Sequence, residues 1–176
     1  MPAHKSLFAI VVFGVLSAFG LSGQVIAQNP IHLSWGTPSN SPQNQWPAQW
    51  AAGNEADGTP IFVCRANYNG GMHPGKVVAG NCNIGYGGNE IVLQHYVVLM
   101  GPLTMRSLWV EGFSPANRNF RAGVDSDGVT PLFVCRALYN GGLHPGKVVA
   151  GNCNITYGGR EVVLHNFQVL RAIPVR

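Results

Sequence analysis

Shifting the chain along itself by 71 residues superposes Phe62 to Leu93 on Phe133 to Leu164, and only five of those 32 pairs differ. The mismatches are Asn67/Leu138, Met72/Leu143, Gly85/Thr156, Asn89/Arg160 and Ile91/Val162. Identity this dense marks a duplicated unit, so any fold must accommodate the same segment twice. Upstream, Ala52-Gly53-x-Glu55-x-Asp57-Gly58 corresponds to Ala122-Gly123-x-Asp125-x-Asp127-Gly128, and copy two carries one extra residue before Phe133. Further out the likeness fades. Trp35 and Trp109 are candidate equivalents, whereas Gly36 to Gln49 reads as a Pro/Ser/Asn/Gln-rich coil. Unequal fading means that the central unit is constrained by fold, by a site, or by both. The expected units are residues 52–99 and 122–176, with a lead-in over 28–51 and a connector over 100–121.

The N-terminus has the anatomy of an export signal over residues 1–27. His4 and Lys5 precede an apolar stretch from Leu7 to Leu21, and Val25 and Ala27 stand at the two positions that a signal peptidase reads. The apolar stretch falls short of the roughly 20 residues that span a bilayer, and Ser17, Gly20 and Ser22 interrupt its end. No membrane span is expected after cleavage, and the product is expected outside the cytoplasm, secreted or periplasmic. The chain has 11 basic and 7 acidic residues; loss of Lys5 leaves a net charge of about +3. The basic residues are scattered and form no phosphate-tracking cluster, which argues against a nucleic-acid partner.

With 23 glycines and 12 prolines and no sustained helical periodicity, the chain reads as all-β. Pro60 to Ala66 and Pro131 to Ala137 are apolar runs followed by Tyr-Asn-Gly-Gly turns. Lys76 to Val78 and Cys82 to Ile84 are expected as short strands, and Ile91 to Leu99 and Val162 to Ile173 as the longest. Two units of four strands each are expected to pack as one pseudo-two-fold symmetric antiparallel β domain, a single globular body.

The four cysteines fall as Cys64 and Cys82 in copy one, Cys135 and Cys153 in copy two. An even count in an exported chain favours disulfides, for which sequence permits three connectivities. Pairing within each repeat is preferred, because each unit could then have been closed before duplication. A zinc site with His73 and His144 is the sharper alternative, but the close Cys-x-x-Cys spacing is missing.

Charged residues are scarce, so those present twice narrow the search for a site: Glu55/Asp125, Asp57/Asp127, Arg65/Arg136, Lys76/Lys147 and Glu90/Glu161. Beyond the signal the only lysines are Lys76 and Lys147, each ending His-Pro-Gly-Lys, where proline and glycine are expected to fix a rigid corner that aims the ammonium. A lysine beside a carboxylate offers a donor and an acceptor that can grip a vicinal pair of sugar hydroxyls without a metal. The bland reading is a surface salt bridge worth at most about 1 kcal/mol. Asp57 and Asp127 read first as turn residues and second as site residues. Tyr68 and Tyr139 are candidates to stack on a sugar or to cover the core, and His73 and His144 to add a hydrogen bond. Arg65 and Arg136 are expected to pair with Glu90 or Glu161 across the sheet, and His95 and His165 to be structural. Asn154-Ile155-Thr156 is a glycosylation sequon that copy one lacks.

These linked motifs, Ala-Gly-x-(Asp/Glu), Phe-Val-x-Arg-Ala, Asn-Gly-Gly-x-x-Pro-Gly-Lys and Tyr-Gly-Gly-x-Glu, resemble the DM9 repeat over Ala52 to Leu99 and Ala122 to Leu170. The resemblance implies a β-rich, pseudo-symmetric mannose-binding lectin with one metal-independent site per repeat, and no cofactor. By motif, the sugar-holding pairs become Glu55 with Lys76 and Asp125 with Lys147. Copy one departs from the family's aspartate by one methylene. The competing reading is a structural or adhesive envelope protein whose repeats bind a protein partner; a homodimer is left open. An enzyme is disfavoured, since no nucleophile motif is present and Glu55 and Asp57 sit too close together on one segment to flank a scissile bond.

Overall fold

Two-residue turns organise the chain. Asn69-Gly70 (φ 44° and 80°), Ala79-Gly80 (45°, 76°) and Gly87-Gly88 (58°, 85°) recur as Asn140-Gly141 (47°, 81°), Ala150-Gly151 (47°, 80°) and Gly158-Gly159 (58°, 82°). Positive φ at both central residues matches the twist of tight hairpins. In the computed structural model residues 33–38, 51–101, 109–115 and 118–171 are described. The expected export signal, most of the lead-in coil, much of the connector and the last residues of unit two lie outside them.

The turns separate β3 (Pro60–Tyr68), β4 (Gly71–Val78), β5 (Asn81–Tyr86) and β6 (Asn89–Leu93) in copy one. In copy two they separate β10 (Pro131–Tyr139), β11 (Gly142–Val149), β12 (Asn152–Tyr157) and β13 (Arg160–Leu164). Around them lie β1 (Ser34–Gly36), β2 (Ala51–Asn54), β7 (Val97–Met100), β8 (Trp109–Glu111), β9 (Arg121–Val124) and β14 (Gln168–Leu170). All join one 14-stranded sheet, paired antiparallel throughout. Among the described residues there is no helix, and hence none that could cross a membrane. The all-β expectation holds.

Three details depart from the expectation. Among the described residues each unit has six strands, from β2 to β7 and from β9 to β14, rather than four. The runs expected as longest are broken at Gln94–Tyr96 and at His165–Phe167, because the chain changes neighbours there. The first half pairs with β5 or β12, whereas the second pairs with β3 or β10. His-Pro-Gly-Lys is also no corner, since it lies inside β4 and β11. Hydrogen-bonded and open pairs alternate back from the Tyr68/Gly71 closing pair, so Arg65 opposite Pro74 is an open pair. The proline nitrogen then faces the other edge of β4, in the gap between its contacts with β9 at Met72 and with β5 from Lys76.

The first strand of each repeat bridges the two copies while staying paired with β3 or β10 of its own. β2 pairs with β11 at Asn54 and Leu143, and β9 pairs with β4 at Val124 and Met72. A third seam joins β6 to β13 at Asn89 and Arg160, with Glu90 N–H donating to Gly159 and Glu161 N–H donating to Gly88. The Ala-Gly motif makes this close approach possible. A Cβ on Gly53 would lie 1.8 Å from the Leu143 carbonyl oxygen, and one on Gly123 would lie 1.8 Å from that of Met72. The preceding Ala52 and Ala122, together with Val63, Val134, Leu99, Leu170 and Trp109, form the central core cluster shared by both copies.

Two flanking clusters hold the disulfides Cys64–Cys82 and Cys135–Cys153, each within its repeat as expected. Oxidised cysteines leave no thiolates for zinc. Each bridge closes a short loop, which is worth about 3 kcal/mol. The expected arginine–glutamate pairs do not form. Arg65 stacks 4.2 Å over Trp35 and donates to the Ala122 carbonyl; Arg136 stacks 4.2 Å over Trp109 and donates to the Ala52 carbonyl. Trp35 and Trp109 are thus equivalent, and each arginine ties its tryptophan to the opposite repeat. Asn154 is 8% exposed and its amide donates to Glu161, so the folded protein does not present its sequon.

Gly123→Ala is expected to lower stability by about 1–3 kcal/mol, or to prevent folding, because the methyl must displace backbone of the other repeat. Urea unfolding of Gly123→Ala against wild type checks this, and an unchanged midpoint would contradict the close-approach role.

Candidate functional site

Lys76 and Lys147 are 4% and 3% exposed, so each ammonium needs a partner. The partner comes from the other repeat. Lys76 Nζ lies 3.4 Å from His144 Nδ1, and Lys147 Nζ lies 3.3 Å from His73 Nδ1. Both imidazoles are fully buried. Each places Nε2 at 3.1 Å from a carbonyl oxygen, His73 on Tyr68 and His144 on Tyr139. A carbonyl only accepts, so Nε2 carries the proton and Nδ1 presents a lone pair to the lysine.

Around Lys76, Glu55 places Oε1 at 3.9 Å from the ammonium and Oε2 at 3.9 Å from His144 Nδ1. The Glu55 side chain is 35% exposed against 5% for the lysine, so the carboxylate forms the outer rim. The ring of Tyr157, from β12 of the other repeat, stands 5.5 Å from the ammonium. Around Lys147 the corresponding groups are Asp125, with its Oδ1 taken by the Ser126 N–H at 2.8 Å, and the Tyr86 ring at 5.6 Å. Both acids begin tight turns closed in the same way, Glu55 N–H donating to Thr59 and Asp125 N–H to Thr130. The extra residue of copy two, Val129, is exposed and absorbed within the turn, where its N–H and that of Thr130 donate to Asp127.

Burial pulls both lysines below the usual lysine range, opposed by Glu55 and Glu90 at Lys76 and by Glu161, Asp125 and Tyr86 at Lys147. Burial, and then the facing lysine, likewise holds both histidines below the usual value, against the pull of Glu55 on His144 and of Asp125 and Glu161 on His73. Beneath the lysines, burial works against ionisation of Glu90, but hydrogen bonds from Asn83 and Gly159 outweigh it and hold its pKa low. Glu161 makes the reciprocal bonds, accepting from Asn154 and from Gly88 N–H.

Of the residues expected from sequence, Glu55 and Lys76 meet directly, and Asp125 lies within electrostatic reach of Lys147. His73 and His144 are at the sites, but each serves the lysine of the opposite copy and not its own neighbour. Tyr68 and Tyr139 lie one layer back, edge-on to Tyr86 and Tyr157 at 5.3 Å. Asp57 and Asp127 are exposed turn residues; the Thr59 N–H on Asp57 and the Thr130 contacts on Asp127 hold both carboxyls below the usual range. Tyr86 and Tyr157 were legible only as part of the Tyr-Gly-Gly turn, although their presence in both copies was the available signal. Among the described residues no three His, Cys, Asp or Glu side chains converge as a metal site requires.

A family model described as the DM9 repeat matches residues 55–123 and 125–175. Among curated proteins none matches the chain.

The histidines give the fold a pH dependence. Their folded pKa lies below the unfolded value near 6.5, so their contribution is complete above about pH 6.5 and is lost as pH falls from there through the folded pKa. Thermal midpoints are expected to fall between pH 7 and pH 5, before the carboxylates titrate. A flat profile over that window would contradict the neutral Lys–His contact.

Proposed function

We propose that this chain, which belongs to the DM9 repeat family, is a carbohydrate-binding protein with two metal-independent sites, each assembled from both repeats. The observation that carries the reading is the Glu55 carboxylate set 3.9 Å from the Lys76 ammonium, with that ammonium oriented by His144. A sugar's vicinal hydroxyls each give and take hydrogen bonds. An acceptor beside a donor at this spacing serves one hydroxyl each, and charge assistance strengthens both bonds. The adjacent tyrosine ring, 5.5 Å from the Lys76 ammonium and 5.6 Å from that of Lys147, offers an apolar wall. Mannose-type glycans are the proposed ligands. The ligand meets Glu55 or Asp125 first and reaches the recessed lysine through that rim.

Binding rather than catalysis fits the chemistry. Each lysine contacts a histidine of the other repeat and Lys76 is also ion-paired with Glu55, each histidine is pinned at both nitrogens, and both cysteine pairs are oxidised. Two disulfides, and the absence of a membrane-crossing helix among the described residues, are compatible with an extracellular protein, and we propose that it is exported.

Isothermal titration with mannose and with mannan tests the proposal. Wild type is expected to bind, and Glu55→Gln/Asp125→Asn, which keeps the shape but removes both charges, to lose roughly ten-fold or more in affinity. No heat with wild type, or undiminished binding by a folded double variant, would contradict it.

A further inference from the structure

Besides the acid itself, glutamate in one copy and aspartate in the other, the two sites differ at the position that follows it. Asp125 is followed by Ser126, whereas Glu55 is followed by Ala56. The Ser126 hydroxyl lies 2.9 Å from the Tyr86 hydroxyl, which also accepts from the Asn69 amide at 2.5 Å. The phenol is the more acidic of the two hydroxyls and donates to Ser126 while accepting from Asn69, so both its functions are engaged within the protein. At the Lys76 site Tyr157 likewise accepts from Asn140 at 2.5 Å, but the residue beside Glu55 is an alanine, which has no hydroxyl to bond. Ala56 packs instead toward the Asn140-Gly141 turn, 3.2 Å from the place a Cβ on Gly141 would occupy.

We infer that Ser126 and Ala56 set the relative strength of the two sites: Ser126 ties up Tyr86 and weakens the Lys147 site, while Ala56 leaves the Tyr157 proton free to donate to a ligand hydroxyl at the Lys76 site. The inference rests on the carbohydrate reading and deepens it. Geometry supports the placement, because the Tyr86 hydroxyl bonds the residue adjoining Asp125 and so stands at the carboxylate rim; Tyr157 is its counterpart. The ligand-facing set is then a carboxylate, an ammonium and a hydroxyl at the Lys76 site, but only the first two at the Lys147 site. Asp125 is further restrained, since one of its oxygens is held by the Ser126 N–H, whereas Glu55 lies across Lys76 and His144. One hydrogen bond of ordinary net strength corresponds to about five-fold in affinity.

Site-resolved titration with mannose, followed by ¹H–¹⁵N correlation spectra, separates the two. The Gly58 amide reports the Lys76 site and the Gly128 amide reports the Lys147 site. In wild type the Gly58 signal is expected to saturate at about five-fold lower mannose than that of Gly128. Ser126→Ala is expected to tighten the Gly128 response alone by about that factor, and Ala56→Ser to weaken the Gly58 response alone. Both substitutions fall on surface turns, and the same spectra show whether each variant is folded. Equal saturation in wild type with no effect of either exchange would overturn the inference while leaving carbohydrate binding intact. Mannose-induced shifts at neither site would overturn the carbohydrate reading, and this inference with it.

Discussion

A buried ammonium is tolerated in a protein only when something meets it, because an unpartnered charge out of water costs several kcal/mol. Here Lys76 is met by His144 and Lys147 by His73, so the need of each repeat is answered by the other. The imidazoles can accept because backbone carbonyls at Tyr68 and Tyr139 fix their tautomer. Folding and site assembly are consequently one event. A single repeat would keep its acid, its lysine and its disulfide, but would lose the histidine that aims the ammonium and the tyrosine that walls the site.

The sheet is built to allow that crossing. Bridging by β2 and β9 carries the Ala-Gly motif of each copy against the backbone of the other, at a distance only glycine permits. The alanine before each glycine enters the shared core, while the acid two residues after it emerges at the site. One short motif therefore performs three tasks in sequence: it fills the core, permits the strand contact and delivers the carboxylate. At the opposite seam Glu90 and Glu161 cap each other's glycine turns and stand under the lysines, which couples that seam to the same charges.

Much of this could be read from the residues. Duplication and the all-β class follow from spacing and composition, the within-repeat bridges were one of three open connectivities, and the rarity of lysine pointed to Lys76 and Lys147. What could not be read was which copy supplies which group. His73 lies three residues before Lys76, so the sequence invites a contact between them; the contact with Lys147 depends on how β4 and β11 of the two repeats come together, which no local pattern encodes. Tyr86 was hidden by its own turn, since Tyr-Gly-Gly is accounted for by backbone geometry alone. His-Pro-Gly-Lys suggested a corner because proline and glycine usually break strands. It remains a strand because the ladder leaves the proline nitrogen unpaired at a point where β4 changes neighbours. Glu90 and Arg65 suggested each other by charge, but Arg65 found an aromatic face and Glu90 a pair of backbone and amide donors.

The central claim is that the lysine of one repeat and the histidine of the other act as a coupled pair. A double-mutant cycle on Lys76→Met and His144→Leu, with stability measured by urea unfolding, tests it most directly. The account predicts that the combined variant is less destabilised than the sum of the two single ones, with a coupling of about 1–3 kcal/mol. Additive effects, with no coupling beyond experimental error, would contradict it.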